Sequence, residues 1–177
     1  IKAMTSSFLK VALGLALTSI ATQAVTIDFN GLAGGSTLTS YTSGAVTFVA
    51  TTSATSLLVA ETPNGTNGLL GGSSTPYSTI RATIAGGAAA VSVDLGDFNQ
   101  DADTIFLEVF NAANVSLGKA TQGLAASFDG MVTLSVEAAD ISYAVFGSTA
   151  PSTFGSSVYA ENFTYRVGNA VSAPDAG

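Results

Sequence analysis

Ser92-Val93-Asp94-Leu95-Gly96-Asp97-Phe98 and, four residues further on, Asp103-Thr104-Ile105-Phe106-Leu107-Glu108-Val109-Phe110 decide the fold class. Val91, Val93 and Leu95 recur with a period of two, and so do Ile105, Leu107 and Val109. A period of two sends alternate side chains to opposite faces of an extended chain, so each run predicts a strand with one apolar face. Val132, Leu134 and Val136 repeat the pattern. Working outward, candidate strands fall at 25–29, 45–50, 56–60, 79–84, 89–95, 104–110, 115–118, 131–137, 141–147 and 158–167, separated by Gly, Ser and Asn clusters. Short strands at that spacing read as a sandwich or barrel. Gly86-Gly87 predicts a tight hairpin turn, and the Gly-rich stretch from Gly65 to Pro76 a surface loop.

The 177 residues suffice for one domain with a sizeable core, and 47% hydrophobic against 10% charged residues, with 19 Gly, favours strands over charged amphipathic helices. The N-terminal segment reads differently. Met4, Lys10, the apolar run from Val11 through Ile20 and the small residues ending at Ala24 follow the n-region, h-region and cleavage pattern of a secretory signal helix. That run is about half the ~20 residues a stable membrane-spanning helix needs. The expected organisation is a signal peptide at 1–24, a β-sandwich domain at 25–167 and a disordered tail at 168–177. No stable membrane span is expected in this chain.

Without residues 1–24, three cations (Arg81, Lys119 and Arg166) face 12 carboxylates, a balance of −9. Such a chain repels nucleic acid and anionic lipid and suits cations, neutral glycans or protein partners. No Cys and no His are present, which excludes a Ser-His-Asp triad, a thiolate nucleophile and a His-ligated zinc or iron site. The expectation is a protein that is not an enzyme, with carboxylate-dependent glycoside hydrolysis as the remaining catalytic alternative.

Two acidic constellations could hold Ca2+, a hard cation that takes six to eight oxygens. Asp97, Asn99, Asp101 and Asp103 carry oxygens at every second position of one turn. They do not make an EF-hand, because Ala102 stands where the turn glycine belongs and Glu108 comes one residue early. An acidic turn kept polar for solubility is the alternative reading. The second constellation joins Asp28-Phe29-Asn30-Gly31 to Glu161-Asn162-Phe163-Thr164 at the two ends of the domain. Of the five tyrosines, Tyr143, Tyr159 and Tyr165 fall within predicted strands, whereas Tyr41 and Tyr77 fall in loop-like segments and are the candidates for ligand contact.

Ile27-Asp28-Phe29-Asn30-Gly31 and Tyr159-Ala160-Glu161-Asn162-Phe163-Thr164 resemble the terminal strands of jelly-roll domains related to carbohydrate-binding modules and MAM-like domains. The resemblance implies paired first and last strands holding a structural Ca2+ through Asp28, Asn30 and Glu161, with Asn162 beside them, in preference to the 97–103 turn. The opening hairpin, together with Ser172-Ala173-Pro174-Asp175-Ala176-Gly177, resembles bacterial surface proteins with a PEP-CTERM-type sorting signal of the variant that begins Val-Pro-Asp-Ser-Gly. The apolar helix and basic cluster of that signal are not in the sequence, and Ala173 replaces its Val. These readings imply an exported, extracellular or cell-surface protein with a structural or binding role in an exopolysaccharide-rich matrix, partnered by polysaccharide or matrix proteins. A carbohydrate-binding module is the alternative.

Overall fold

The computed structural model describes residues 23–52, 56–72, 77–98, 101–149 and 157–168, so the predicted signal helix, the tail beyond Gly168 and Asn99 lie outside the described residues. In chain order the strands are β1 (Ala24–Ile27), β2 (Thr37–Leu38), β3 (Tyr41–Ser43), β4 (Val46–Ala50), β5 (Leu57–Glu61), β6 (Asn67–Gly71), β7 (Ile80–Phe98), β8 (Asp103–Phe110), β9 (Ser116–Leu124), β10 (Asp129–Ser148) and β11 (Tyr159–Arg166). Every pairing among them is antiparallel. The architecture is the all-β, jelly-roll-like sandwich expected from the strand spacing together with the resemblance of the terminal strands. Among the described residues there is no helix long and apolar enough to cross a membrane.

Two long strands belong to both layers. The first half of β7 pairs with β4 and with the second half of β10, and β8 and β9 extend that layer. The second half of β7 pairs with the first half of β10 and with β11, which passes the sheet on to β1 and to β6, β5 and β2. Gly86-Gly87 is therefore a bend inside one strand and not the predicted hairpin. Both glycines take positive φ (81° and 75°), and opposite them Asp140 sits at φ 62° where the β7–β10 register shifts. A left-handed backbone costs glycine little, so the strand turns its twist from one layer to the next without ending.

The Gly-rich stretch is not wholly the predicted surface loop. Asn67–Gly71 is a strand whose Gly68, Leu69, Leu70 and Gly71 are buried. A Cβ on Gly68 would lie 2.6 Å from the Ala160 carbonyl oxygen, and one on Gly71 would collide with the carbonyl of Ser78. The glycines are there because neighbouring backbones approach too closely for any side chain. Read from sequence they signal only a turn.

As predicted, the first and last strands are neighbours, with Ala24 opposite Arg166 and Ile27 opposite Phe163. The core lies between the layers and centres on Phe48 of β4. Its ring meets Phe163 of the opposite layer edge-on at 5.2 Å and Phe29 at 5.3 Å, and Tyr41 stacks beside it at 6.0 Å. Edge-to-face geometry sets a positive ring edge against a negative ring face. Removing the hub opens a cavity between Phe29, Tyr41 and Phe163. Phe48→Ala is expected to destabilise the protein by about 3–5 kcal/mol in urea unfolding, while Thr83→Ala, exposed on the strand alongside, stays within about 0.5 kcal/mol.

Candidate cation and ligand sites

The turn from β7 to β8 is where the sandwich buries acid. Asp97 and Asp103 are 2% and 5% exposed, and Asp101 between them is half-buried. Each contributes a carboxylate oxygen to a set whose members all lie within 4.8 Å of one another. The Phe98 N–H donates to Asp97 Oδ1 at 2.7 Å and the Ser148 hydroxyl donates to Asp103 Oδ1 at 3.0 Å. Asp97 Oδ2, Asp101 Oδ1 and Asp103 Oδ2 are buried with no hydrogen-bond partner. Burial pushes the Asp97 carboxyl up to about 6 from the ordinary 3.8, against the Phe98 N–H that lowers it, and the charges of Asp103, Asp101 and Asp129 push the same way. Burial likewise raises Asp103, opposed by Ser148 and helped by Asp101.

The four residues of the terminal constellation go into separate networks. Glu161 is 3% exposed, and its carboxylate is filled by protein donors: the Thr62 hydroxyl at 2.9 Å, the Asn64 amide at 2.6 Å and the Thr66 hydroxyl. Asp28 is exposed and accepts the Asn30 N–H at 3.2 Å. Asn30 in turn accepts the N–H of Asn67 at 3.1 Å, at the start of β6. Asn162, at φ 48° in a bulge of β11, turns outward and donates to Asp94 at 2.9 Å. The expected apposition of Asp28 and Glu161 thus gives way to one solvated and one fully bonded carboxylate, because consecutive residues on a strand face opposite sides and the bulge turns Asn162 from Glu161. Sequence reasoning had no signal for Thr62, Asn64 and Thr66 as the partners of Glu161, since they lie some hundred residues away in an ordinary turn.

The two tyrosines proposed for ligand contact are placed differently from each other. Tyr41 lies in β3 and packs on Phe48 and Phe29 at the core margin. Tyr77 is half-buried beside Tyr159, whose hydroxyl is raised by burial first and by Tyr77 second. The aromatic face missed by the sequence reading is on the outside of the first layer. Phe106, Glu108 and Phe110 of β8 point away from the core side occupied by Ile105, Leu107 and Val109, and Tyr143 of β10 lies opposite Phe110. Phe110 and Tyr143 stack at 4.8 Å with 8° between their planes, the Arg81 guanidinium covers Tyr143 at 3.8 Å, and the Tyr143 hydroxyl donates to Asn114 at 3.0 Å. Lys119 sits 4.5 Å over the Phe106 ring and 3.3 Å from Glu108. The signal was present in the sequence: Phe106, Glu108 and Phe110 alternate with the core residues.

No family model and no curated protein matches the sequence. Solved structures are similar in fold. The cleaved K2 adhesin domain of Lys-gingipain aligns over 82% of this chain and 98% of its own with TM-score 0.50 at 12% identity. A family 29 carbohydrate-binding module aligns over 84% and 88% with TM-score 0.40 at 14% identity. An arabinose-bound α-L-arabinofuranosidase aligns with TM-score 0.46 at 12% identity over 78% of this chain, which spans 25% of that enzyme. At these identities the likeness concerns the β-sandwich.

Two measurements check the contrast between the buried acids. A carboxyl held more protonated in the folded than in the unfolded state stabilises at low pH, and that contribution is lost as pH rises from the unfolded value through the folded one. In the presence of chelator, the contribution of Asp97 is therefore expected to fall between about pH 4 and 6, lowering the melting temperature, and Asp97→Asn flattens the profile over that range. Glu161→Gln, which turns an amide N–H2 toward groups that now donate, is expected to cost about 2–3 kcal/mol in denaturant unfolding.

Proposed function

We propose that the chain is the folded part of an exported bacterial surface or matrix protein, non-catalytic, whose sandwich binds neutral polysaccharide through the outward face of the β4-β7-β10-β8-β9 layer. The supporting observation is the Phe110–Tyr143 stack with its polar surround. In a chain that is 8% aromatic and 10% charged, Phe106, Phe110 and Tyr143 gather on one outward face with Arg81, Glu108 and Lys119, and Phe110 is the most open of the three rings, Phe106 and Tyr143 being 8% exposed beneath Lys119 and Arg81. Sugar rings lay their C–H faces on aromatic rings and satisfy their hydroxyls with planar or charged side chains at the margin. Phe110 is the half-buried outer member of that stack, so its ring is the platform and Arg81, Glu108 and Asn114 are the hydrogen-bonding rim.

Charge supports a neutral ligand over an anionic one. Lys119 is held by Glu108, Arg166 by Glu137 at 3.4 Å, and Arg81 lies over Tyr143, so the cations beyond residue 24 are engaged within the protein while carboxylates such as Asp28, Glu61 and Asp140 are exposed. An anionic polymer approaching that surface is repelled. Retardation in gels containing neutral β-glucan or mannan is the test: the chain is expected to be retained, Phe110→Ala to weaken retention about tenfold, and Thr26→Ala on the other layer to leave it unchanged. Equal mobility with and without every neutral polymer tried rejects the polysaccharide reading, and steady release of reducing sugar rejects the non-catalytic one.

A further inference from the structure

Two buried acidic sites in this fold are treated in opposite ways. Both oxygens of the Glu161 carboxylate receive hydrogen bonds, from two threonines and an asparagine. At the β7–β8 turn the same degree of burial comes with one donor each to Asp97 and Asp103, and each of the three aspartates keeps a buried oxygen that no donor among the described residues reaches. A buried carboxylate oxygen without a donor is costly, and three of them in one place add mutual repulsion to that cost. Among the described residues no Lys or Arg forms an ion pair with the cluster, since the two salt bridges tie Lys119 to Glu108 and Arg166 to Glu137.

We propose that Asp97, Asp101 and Asp103 bind a calcium ion at the β7–β8 turn. Two independent observations carry this. The carboxylate oxygens all lie within 4.8 Å of one another, near enough for a single cation to be shared among them. The second is that the side chains of Asp97 and Asp103 are more than nine-tenths buried and still hold unpartnered oxygens. Oxygen-only donors in a chain without His or Cys select a hard cation over zinc or copper. Calcium is favoured over magnesium because it accepts six to eight oxygens in a flexible geometry, whereas magnesium demands a near-ideal octahedron and gives up its water reluctantly. Half-buried Asp101 marks the side left for water to complete the shell. The ion ties the end of β7 to the start of β8 and, through the Ser148–Asp103 hydrogen bond, to the end of β10.

The site stands independently of polysaccharide binding, and its test uses the full chain with calcium chloride or magnesium chloride as the only added ligand. Calorimetric titration is expected to give one saturable calcium site, and thermal unfolding a melting temperature that calcium raises and chelator lowers. Asp101→Asn, at the least buried ligand and the one least expected to disturb folding, weakens calcium binding ~10-fold or more, whereas Asp28→Asn leaves it unchanged. Binding heat absent and a melting temperature equal in calcium and chelator overturn the proposal. So does a calcium response kept in full by Asp101→Asn, or one lost in Asp28→Asn, which moves the ion to the terminal strands. Equal affinity for magnesium overturns the choice of calcium. If Asp97→Asn stabilises the chelated protein and the parent shows no calcium response, a shared proton and not an ion relieves the repulsion, and the proposal is wrong.

Discussion

The ladder between β7 and β10 is the constraint on which the rest of the sandwich depends. It runs from Phe98 opposite Asp129 in one layer to Ile80 opposite Phe146 in the other, with the register shifted where the strands bend. Strands that serve two layers remove the need for a connection between the sheets and fix their separation and twist together. They also decide where polar groups can be placed. At the far end of β7 the chain must reverse into β8 under the cover of the start of β10 and the start of β11, where Gly130 pairs with Asp97 and Tyr159 with Gly96. Any side chain alternating inward at that reversal is buried whatever its charge. Asp97 and Asp103 occupy those positions, and their burial follows from the ladder.

The consequence is an energetic asymmetry between two buried acidic sites near the start of β11. Glu161 is buried against the turn between β5 and β6, where the sequence supplies three short polar side chains and the strand pairing delivers them to one carboxylate. That arrangement is internal to the protein. At the β7–β8 turn the fold brings acids together and supplies fewer donors than acceptors. A folded chain can resolve such a deficit by taking up a proton or an ion, and both couple stability to what surrounds it.

How far these features were legible in the sequence depends on the range over which they are specified. Strand faces are specified locally, by residues two apart, and so the strands around Val93, Leu107 and Leu134 stand where the alternation places them. Glycine is ambiguous at that range. Gly86-Gly87 and Gly68 read as breaks, yet one pair bends a continuous strand and the other lets a strand pass close to Ala160, outcomes that depend on partners distant in sequence. The site divides in the same way. The proximity of Asp97, Asp101 and Asp103 is local and was visible, whereas the filling of Glu161 by donors at 62–66 is a product of the fold. Pairing of first and last strands was read correctly, but pairing alone does not say which face a carboxylate takes once a bulge intervenes at Asn162. Tyr41 looked like a loop residue because β3 has only three residues, too few to show a period.

The outer surface uses hydroxyls where many proteins use charges. Thr26 bonds Thr164 across β1 and β11 at 2.8 Å, Thr42 bonds Thr47 across β3 and β4 at 3.0 Å, and Thr51 bonds Ser78 at 2.8 Å. Cross-strand threonine pairs each contribute on the order of 0.2–1 kcal/mol and, unlike surface ion pairs, are not screened by salt. With two ion pairs among the described residues, both partly exposed, the sandwich draws little of its stability from charge. Changes in salt therefore leave most of the fold untouched. Among the described residues charge is concentrated and buried at the aspartates at the end of β7, where the chain passes from one layer to the other, so it is there that a proton or an ion in the medium has a buried charge to act on.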